Sequence, residues 1–177
     1  MIMADVSKLV PFILKWEGGF QQMKEDTGNY LNGVLIGTNK GITPAAYQMT
    51  FGKVPTVQDM KNITHEQFMA VLKRFYWDRW KADSIQNQSV ANILVDWVWA
   101  SGKHGIEIPQ KVLGLKPDGV VGVLTLKAIN CFDQHELFDL IKKERIDFID
   151  RIIKNRPTNA KFRRGWLNRI NAFTFTV

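Results

Sequence analysis

Hydrophobic positions recur at helical spacing over most of the chain. Val6, Leu9, Val10, Ile13 and Leu14 share one face up to Trp16, and Gly18-Gly19 closes that stretch. The rhythm vanishes from Phe20 to Gly41, where four glycines (Gly28, Gly33, Gly37, Gly41) and three asparagines (Asn29, Asn32, Asn39) intervene. Within it the Gly-bounded run Gly33-Val34-Leu35-Ile36-Gly37 predicts a small hairpin inside a loop. Helical spacing returns at Thr43-Pro44, with Thr43 as N-cap and Pro44 at the first helical position, and lasts to about Gly52. Thr64 and Gln67 form a capping box ahead of Phe68, Met69, Leu72, Phe75, Tyr76 and Trp80, which line one face. From Ser89 to Ala100 the apolar residues Val90, Ile93, Leu94, Trp97 and Val98 nearly encircle the helix, which predicts a central, buried element.

Beyond it Gly102 and Gly105 read as breaks, followed by a short helix from Pro109 to Leu113 and a turn at Lys116-Pro117-Asp118-Gly119. Another short helix covers Thr125 to Asn130. Asp133 caps a long one that Pro157 ends, and a last helix runs from about Ala160 to Phe173. The pattern is mainly α with one hairpin, without internal repeats or low-complexity segments. A length of 177 residues fits one domain or two small parts sharing a core. The best boundary is Ser101–Gly105, which divides residues 1–100 from 101–177.

Composition narrows the class. At 45% hydrophobic and 23% charged, the chain can bury enough apolar surface to fold, which excludes a disordered polymer. A single cysteine, Cys131, excludes an intramolecular disulfide framework. With no base beside it in sequence, Cys131 reads as a small buried residue. No run approaches the roughly 18 apolar residues of a membrane span. Met1–Trp16 lacks a basic start and is interrupted by Asp5, Lys8, Pro11 and Lys15, so no secretory signal is expected. Synthesis in the cytoplasm, with release or export by another route, is the expectation.

The net charge of +7 lies wholly in residues 142–169, with ten Lys/Arg against three Asp/Glu; the remainder is balanced. Such a patch attracts a polyanion or serves as a solvated helix face. Aromatic residues are not interleaved with the basic ones as a base-stacking platform needs, so nucleic acid is not expected as a partner. His65, His104 and His135 have no Cys or His at metal-ligand spacing, and no metal or cofactor is expected. Trp77, Trp80 and Trp97 read as core; Trp99, offset from the apolar face of its helix, is the tryptophan most suited to stack on a sugar.

Glu17 is the leading catalytic candidate. It stands where the first helix stops, between Trp16 and Gly18-Gly19. Burial against an aromatic wall raises a carboxyl pKa and suits a general acid, and the two glycines leave room for a bulky substrate. Alone, the triplet also fits an ordinary surface glutamate at a helix end. Asp26 follows in a loop, and Thr38-Asn39-Lys40-Gly41-Ile42-Thr43 joins the hairpin to the next helix. An acid, a second polar group across a cleft and a polar strand edge are what glycoside hydrolysis needs. Asp26 fits equally a turn residue bonding its own backbone, and capping alone accounts for Thr43.

Lys15-Trp16-Glu17-Gly18-Gly19-Phe20, followed by Gly37-Thr38-Asn39-Lys40-Gly41-Ile42-Thr43, resembles glycoside hydrolase family 108, the N-acetylmuramidases. Tyr76-Trp77-Asp78 is similar to the same family. So are Asp96, Ser101-Gly102, Asp118-Gly119-Val120-Val121-Gly122 and Lys161-Phe162-Arg163-Arg164-Gly165-Trp166-Leu167-Asn168-Arg169, in the peptidoglycan-binding region that accompanies it. The likeness runs in order over nearly the whole chain. It implies a lysozyme-like helical fold with a hairpin beside the cleft and a monomer without cofactor. The implied activity is cleavage of the β-1,4 bond from N-acetylmuramic acid to N-acetylglucosamine in peptidoglycan. It puts the general acid on Glu17 and the loop acid on Asp26, with Glu25 as its rival. Gly18, Gly19, Thr38, Asn39, Thr43, Trp99 and Asp118 become candidates for the catalytic and glycan-binding surface. The loop departs from the family pattern at Lys24-Glu25-Asp26-Thr27-Gly28 and in the longer Asn29–Ile36 insert, and Val123 stands where proline is common. The alternative is a non-catalytic wall-binding or secretion-accessory protein that keeps the fold. Anionic wall polymers are candidate partners for the basic end.

Overall fold

Nine α-helices and one two-stranded antiparallel sheet form the regular structure among residues 3–177, which the computed structural model describes. Helical conformation of all kinds covers 63% of the chain. Met1 and Ile2, the start of the stretch tested above for a signal, lie outside the described residues. Two compact units arise, one of Val6–Phe75, the other of Tyr76–Val177 with residues 3–5.

In the first unit the opening helix is shorter than its hydrophobic period. A 3-10 turn, Val6–Lys8, precedes α1, Val10–Trp16. Pro11 has no N–H for a bond to the Ser7 carbonyl and its ring crowds that carbonyl, so the α-helix cannot start earlier. Leu9, Val10 and Ile13 are fully buried, and α1 packs on α4, His65–Leu72. The hairpin pairs β1, Tyr30–Leu31, with β2, Val34–Leu35; Tyr30 faces Leu35. Asn32 (φ 51°) and Gly33 (φ 79°) make the tight turn, the left-handed pair that matches strand twist. α2, Pro44–Phe51, starts on the Thr43 hydroxyl, which accepts the Ala46 N–H, and closes on left-handed Gly52.

α3, Val57–Lys61, is absent from the hydrophobic pattern because five residues are too few to display a period. Its signal is the Thr56–Asp59 capping box. Past α4 a π-helical turn, Lys73–Trp77, takes over, so Phe75, Tyr76 and Trp80 do not extend the face of α4.

The second unit is built on α5, Gln88–Ser101, which Asn87 caps through bonds from the Ser89 and Val90 amides. Val90, Ala91, Ile93, Leu94, Val95, Asp96, Trp97 and Val98 are all buried, and α5 packs on α6 and α8. α6, His104–Val112, starts well before the expected Pro109. Gly105 is not a break. A Cβ there would lie 2.5 Å from the Val98 nitrogen, so the glycine lets α6 cross α5 at backbone contact. α7, Val123–Cys131, forms with Val123 at the position where proline is common. Cys131 is exposed rather than buried. The buried side of α7 is Thr125 and Ile129, and Cys131, two positions on, falls on the opposite side of the helix. α8, Gln134–Asn155, is capped by Asp133. After it the expected last helix is split into a 3-10 segment, Pro157–Phe162, and α9, Arg163–Asn171.

Candidate active site

Glu17 follows the last residue of α1. Its N–H still bonds the Ile13 carbonyl at 3.2 Å, but its own backbone is extended (φ −89°, ψ 146°). The residue is half-buried, as is Trp16, whose buried indole nitrogen has no hydrogen-bond partner among the described residues. Gly18 and Gly19 are exposed, and a Cβ built on either meets no atom within 4 Å. Glu17 thus lies in the chain between a half-buried tryptophan and two exposed glycines.

Phe20 brings the chain back against the hairpin. Its ring lies 2.6 Å from where a Cβ of Gly37 would be, so only glycine fits there. Next to this contact Gln21 and Thr38 exchange both backbone hydrogen bonds, at 2.8 and 2.9 Å. The Gln21 side chain, which no sequence signal marks, is the hub of the loop. Its Nε2 donates to Asp26 Oδ2 at 2.8 Å; its Oε1 accepts from Asn29 Nδ2 and from the Met23 amide. Asp26 is exposed, and its other oxygen caps the turn by accepting the Gly28 N–H at 2.9 Å. Asp26 and Thr43 converge on Gly28, where a Cβ would lie 3.1 Å from Asp26 Oδ1 and 3.5 Å from Thr43 Cγ2. Thr38 has a buried hydroxyl without a partner among the described residues. Asn39 is only 4% exposed and spends its amide on the Met60 and Lys61 carbonyls. It therefore fixes the position of Thr38 by anchoring the loop on α3.

Trp99 and Asp118 lie in the second unit. Trp99 is half-buried with its ring 4.6 Å from that of Tyr76. Asp118 is exposed, and the Val120 amide with the Gln110 side chain holds its carboxyl below the ordinary value. Buried Gln110 also accepts the Gly119 N–H and donates to the Val120 carbonyl, so it organises the turn from inside. A further cluster escaped the sequence reading because its members are far apart along the chain: buried Asp96 binds Arg145 and Arg169 together.

A cavity of about 140 Å³ opens among α5, α8 and α9, and a groove of about 590 Å³ runs between α6 and α8. Neither is lined by Glu17, Asp26 or Thr43. Among the described residues, no three His, Cys, Asp or Glu side chains come together as a metal site, and no helix is long and apolar enough to cross a membrane.

The family model described as Glycosyl hydrolase 108 matches residues 10–102, and the one described as Predicted Peptidoglycan domain matches 104–171. The solved structure of Brucella abortus SagA superimposes with a TM-score of 0.72 at 24% identity, covering 94% of this chain and 89% of that chain. The fold is thus the mainly α, lysozyme-like one. No curated protein matches the chain.

Proposed function

The chain belongs to the glycosyl hydrolase 108 family, and from that premise we propose that it is an N-acetylmuramidase with Glu17 as its general acid. Action of a glycoside hydrolase on peptidoglycan follows from the two matched families together. The role of Glu17 is supported by its position at the end of α1, half-buried next to Trp16 in the chain and followed by two glycines with open space at their Cβ positions.

The chemistry asks little more of the chain. Glu17 in its acid form donates a proton to the O4 leaving group as the bond to the anomeric carbon of N-acetylmuramic acid breaks. Asp26, or a water held by Thr38 or Thr43, acts on the opposite face of the sugar. The Gln21 network holds the Asp26 carboxylate in place for this. Because the substrate is the wall polymer, the enzyme works outside the cytoplasm, after release or export.

The test is turbidity clearing of purified peptidoglycan by wild type and Glu17→Gln, with circular dichroism to establish that both are folded. Loss of a general acid costs on the order of 10²-fold or more in rate. The proposal expects that loss, together with new reducing ends on muramic acid in the wild-type digest. Equal clearing by both proteins overturns the role of Glu17. Binding to sacculi without release of reducing ends favours a wall-binding accessory protein.

A further inference from the structure

Neither the chemistry placed on Glu17 nor the packing of the second unit uses the tip made by the turn at Lys116–Gly122 and the first residues of α7. There Val120, Val123 and Leu124 are 68%, 80% and 74% exposed, while Val121 and Thr125 are buried and anchor the tip. Val123, Leu124 and Lys127 fall at helical spacing on one side of α7, opposite buried Thr125 and Ile129. The turn ahead of them is not loose. Buried Gln110 accepts the Gly119 N–H at 2.9 Å and donates to Asp118 Oδ1 and the Val120 carbonyl, both at 3.0 Å. The core needs no apolar side chain at positions 120, 123 or 124. Exposed apolar residues gathered at one place mark a contact surface.

The charge around the tip has a sign. Residues 103–131 hold four lysines against two acids, and both acids are engaged. Asp118 Oδ1 accepts the Val120 N–H at 2.9 Å as well as the Gln110 amide, and Glu107 pairs with Lys103 at 3.2 Å. Lys116 and Lys127, which flank the tip in the chain, are exposed. Aliphatic side chains bordered by lysines match a lipid surface, with acyl chains below and anionic headgroups above. None of the three apolar residues is aromatic, so the tip offers no ring on which a sugar can stack. Three side chains also fall far short of the roughly 1,200 Å² that a stable pairing of two protein copies buries. A bilayer needs no complementary shape, and each side chain that enters it adds to the binding.

We propose that Val120, Val123 and Leu124 insert into the surface of a phospholipid bilayer rich in anionic headgroups, with Lys116 and Lys127 against the phosphates. The anchorage is peripheral and reversible; no helix among the described residues is long and apolar enough to cross a membrane. The surface is separate from Glu17 and Asp26, and its assignment does not depend on the hydrolase reading.

The test is flotation of the full chain with vesicles of phosphatidylglycerol and phosphatidylcholine in equal parts, and with vesicles of phosphatidylcholine alone. Wild type should float with the mixed vesicles and roughly tenfold less, or lower still, with the neutral ones. The double variant Val123→Ser, Leu124→Ser should lower partitioning onto the mixed vesicles roughly tenfold or more. Its thermal midpoint should be unchanged, because both side chains lie outside the core. Lys116→Gln with Lys127→Gln should cost about fivefold per lysine at low salt, a loss that shrinks as salt rises. With spin-labelled lipid in the vesicles, the methyl signals of Val120, Val123 and Leu124 should broaden before that of buried Ile129. Equal flotation of the serine double variant and wild type, as the basic residues in 142–169 alone would give, overturns the proposal. So does a wild type that ignores both kinds of vesicle, whether its tip is idle or pairs with a second copy in dimers that the variant abolishes.

Discussion

The ring of Phe20 fills the space in which a side chain at position 37 would begin. Its Cζ and Cε2 lie 2.6 and 2.7 Å from a Cβ built on Gly37, and the Gln21 carbonyl lies at 2.8 Å. The contact fastens the residue three places after Glu17 to the strand that leads into Thr38. The segments Lys15–Phe20 and Gly37–Thr43 are therefore one structural object, which explains why they occur together in this sequence.

Substitution at Gly37 tests that coupling. Gly37 has φ +103°, which side chains rarely adopt, in addition to the clash with Phe20. Gly37→Ala should lower stability by about 1–3 kcal/mol, read from urea unfolding curves. Gly18→Ala and Gly19→Ala meet nothing within 4 Å and require no left-handed backbone. They should stay within about 0.5 kcal/mol of wild type. Wild-type stability in Gly37→Ala would mean that the loop moves freely away from Phe20.

Asp26 offers a separation of two roles. Its Oδ1 accepts the Gly28 N–H, a bond that the side-chain oxygen of asparagine also makes. Asp26→Asn keeps that cap but loses the bond that Oδ2 accepts from Gln21 Nε2, so its thermal midpoint should fall, by less than that of Asp26→Ala. If the carboxylate acts on the substrate, clearing of peptidoglycan falls on the order of 10²-fold. Asp26→Ala should lose the turn cap as well, with a lower midpoint. Full activity in Asp26→Asn would reduce Asp26 to a loop staple and pass its catalytic role to Glu25 or a threonine-held water.

What was legible in the sequence is what is local. The caps at Thr43, Thr64 and Asp133 lie where their motifs put them, because a cap depends on a side chain and an amide two or three residues away. The end of α1 before Glu17 was readable for the same reason, from two glycines beyond a periodic stretch. The α3 helix was missed because it is too short to have a period, and the start of α6 because Gly105 serves packing rather than termination. The Gln21 hub and the close fit of Phe20 on Gly37 depend on how the loop folds back on itself. The joining of Asp96 to arginines 49 and 73 positions away is a product of helix packing, which no local pattern records.

The α3 capping box makes a pH prediction with a defined sign. The Thr56 amide and hydroxyl, with Lys53, hold the Asp59 carboxyl below its ordinary 3.8. A carboxyl depressed in the folded state stabilises the protein above its unfolded value, and that contribution disappears as pH falls through the folded value. Thermal midpoints of wild type and Asp59→Asn should differ at neutral pH, with wild type higher, and converge in acid below 3.8. A difference that stays constant down to low pH would show that the lost interaction is not one of charge.

The basic end of the chain carries fewer available charges than its composition implies. Arg145 and Arg169 are committed to buried Asp96, Lys143 pairs with Asp147, Arg151 with Glu144 and Arg163 with Asp150. Lys142 donates to the Phe173 carbonyl at 2.8 Å. Lys154, Arg156, Lys161 and Arg164 remain exposed and without an ion pair among the described residues. These four should supply most of the attraction to an anionic wall polymer, and that attraction should be screened within a Debye length of about 10 Å at 0.1 M salt. Replacing all four by glutamine should weaken retention on teichoic-acid-bearing walls at low salt and flatten its salt dependence. The two proteins should become alike near about 1 M salt, where the Debye length is about 3 Å. Replacing two of the four should give a smaller effect than replacing all four, since well-separated surface charges act nearly additively. Parallel salt curves for the variant and wild type would show that the patch is a solvated face with no part in holding the wall.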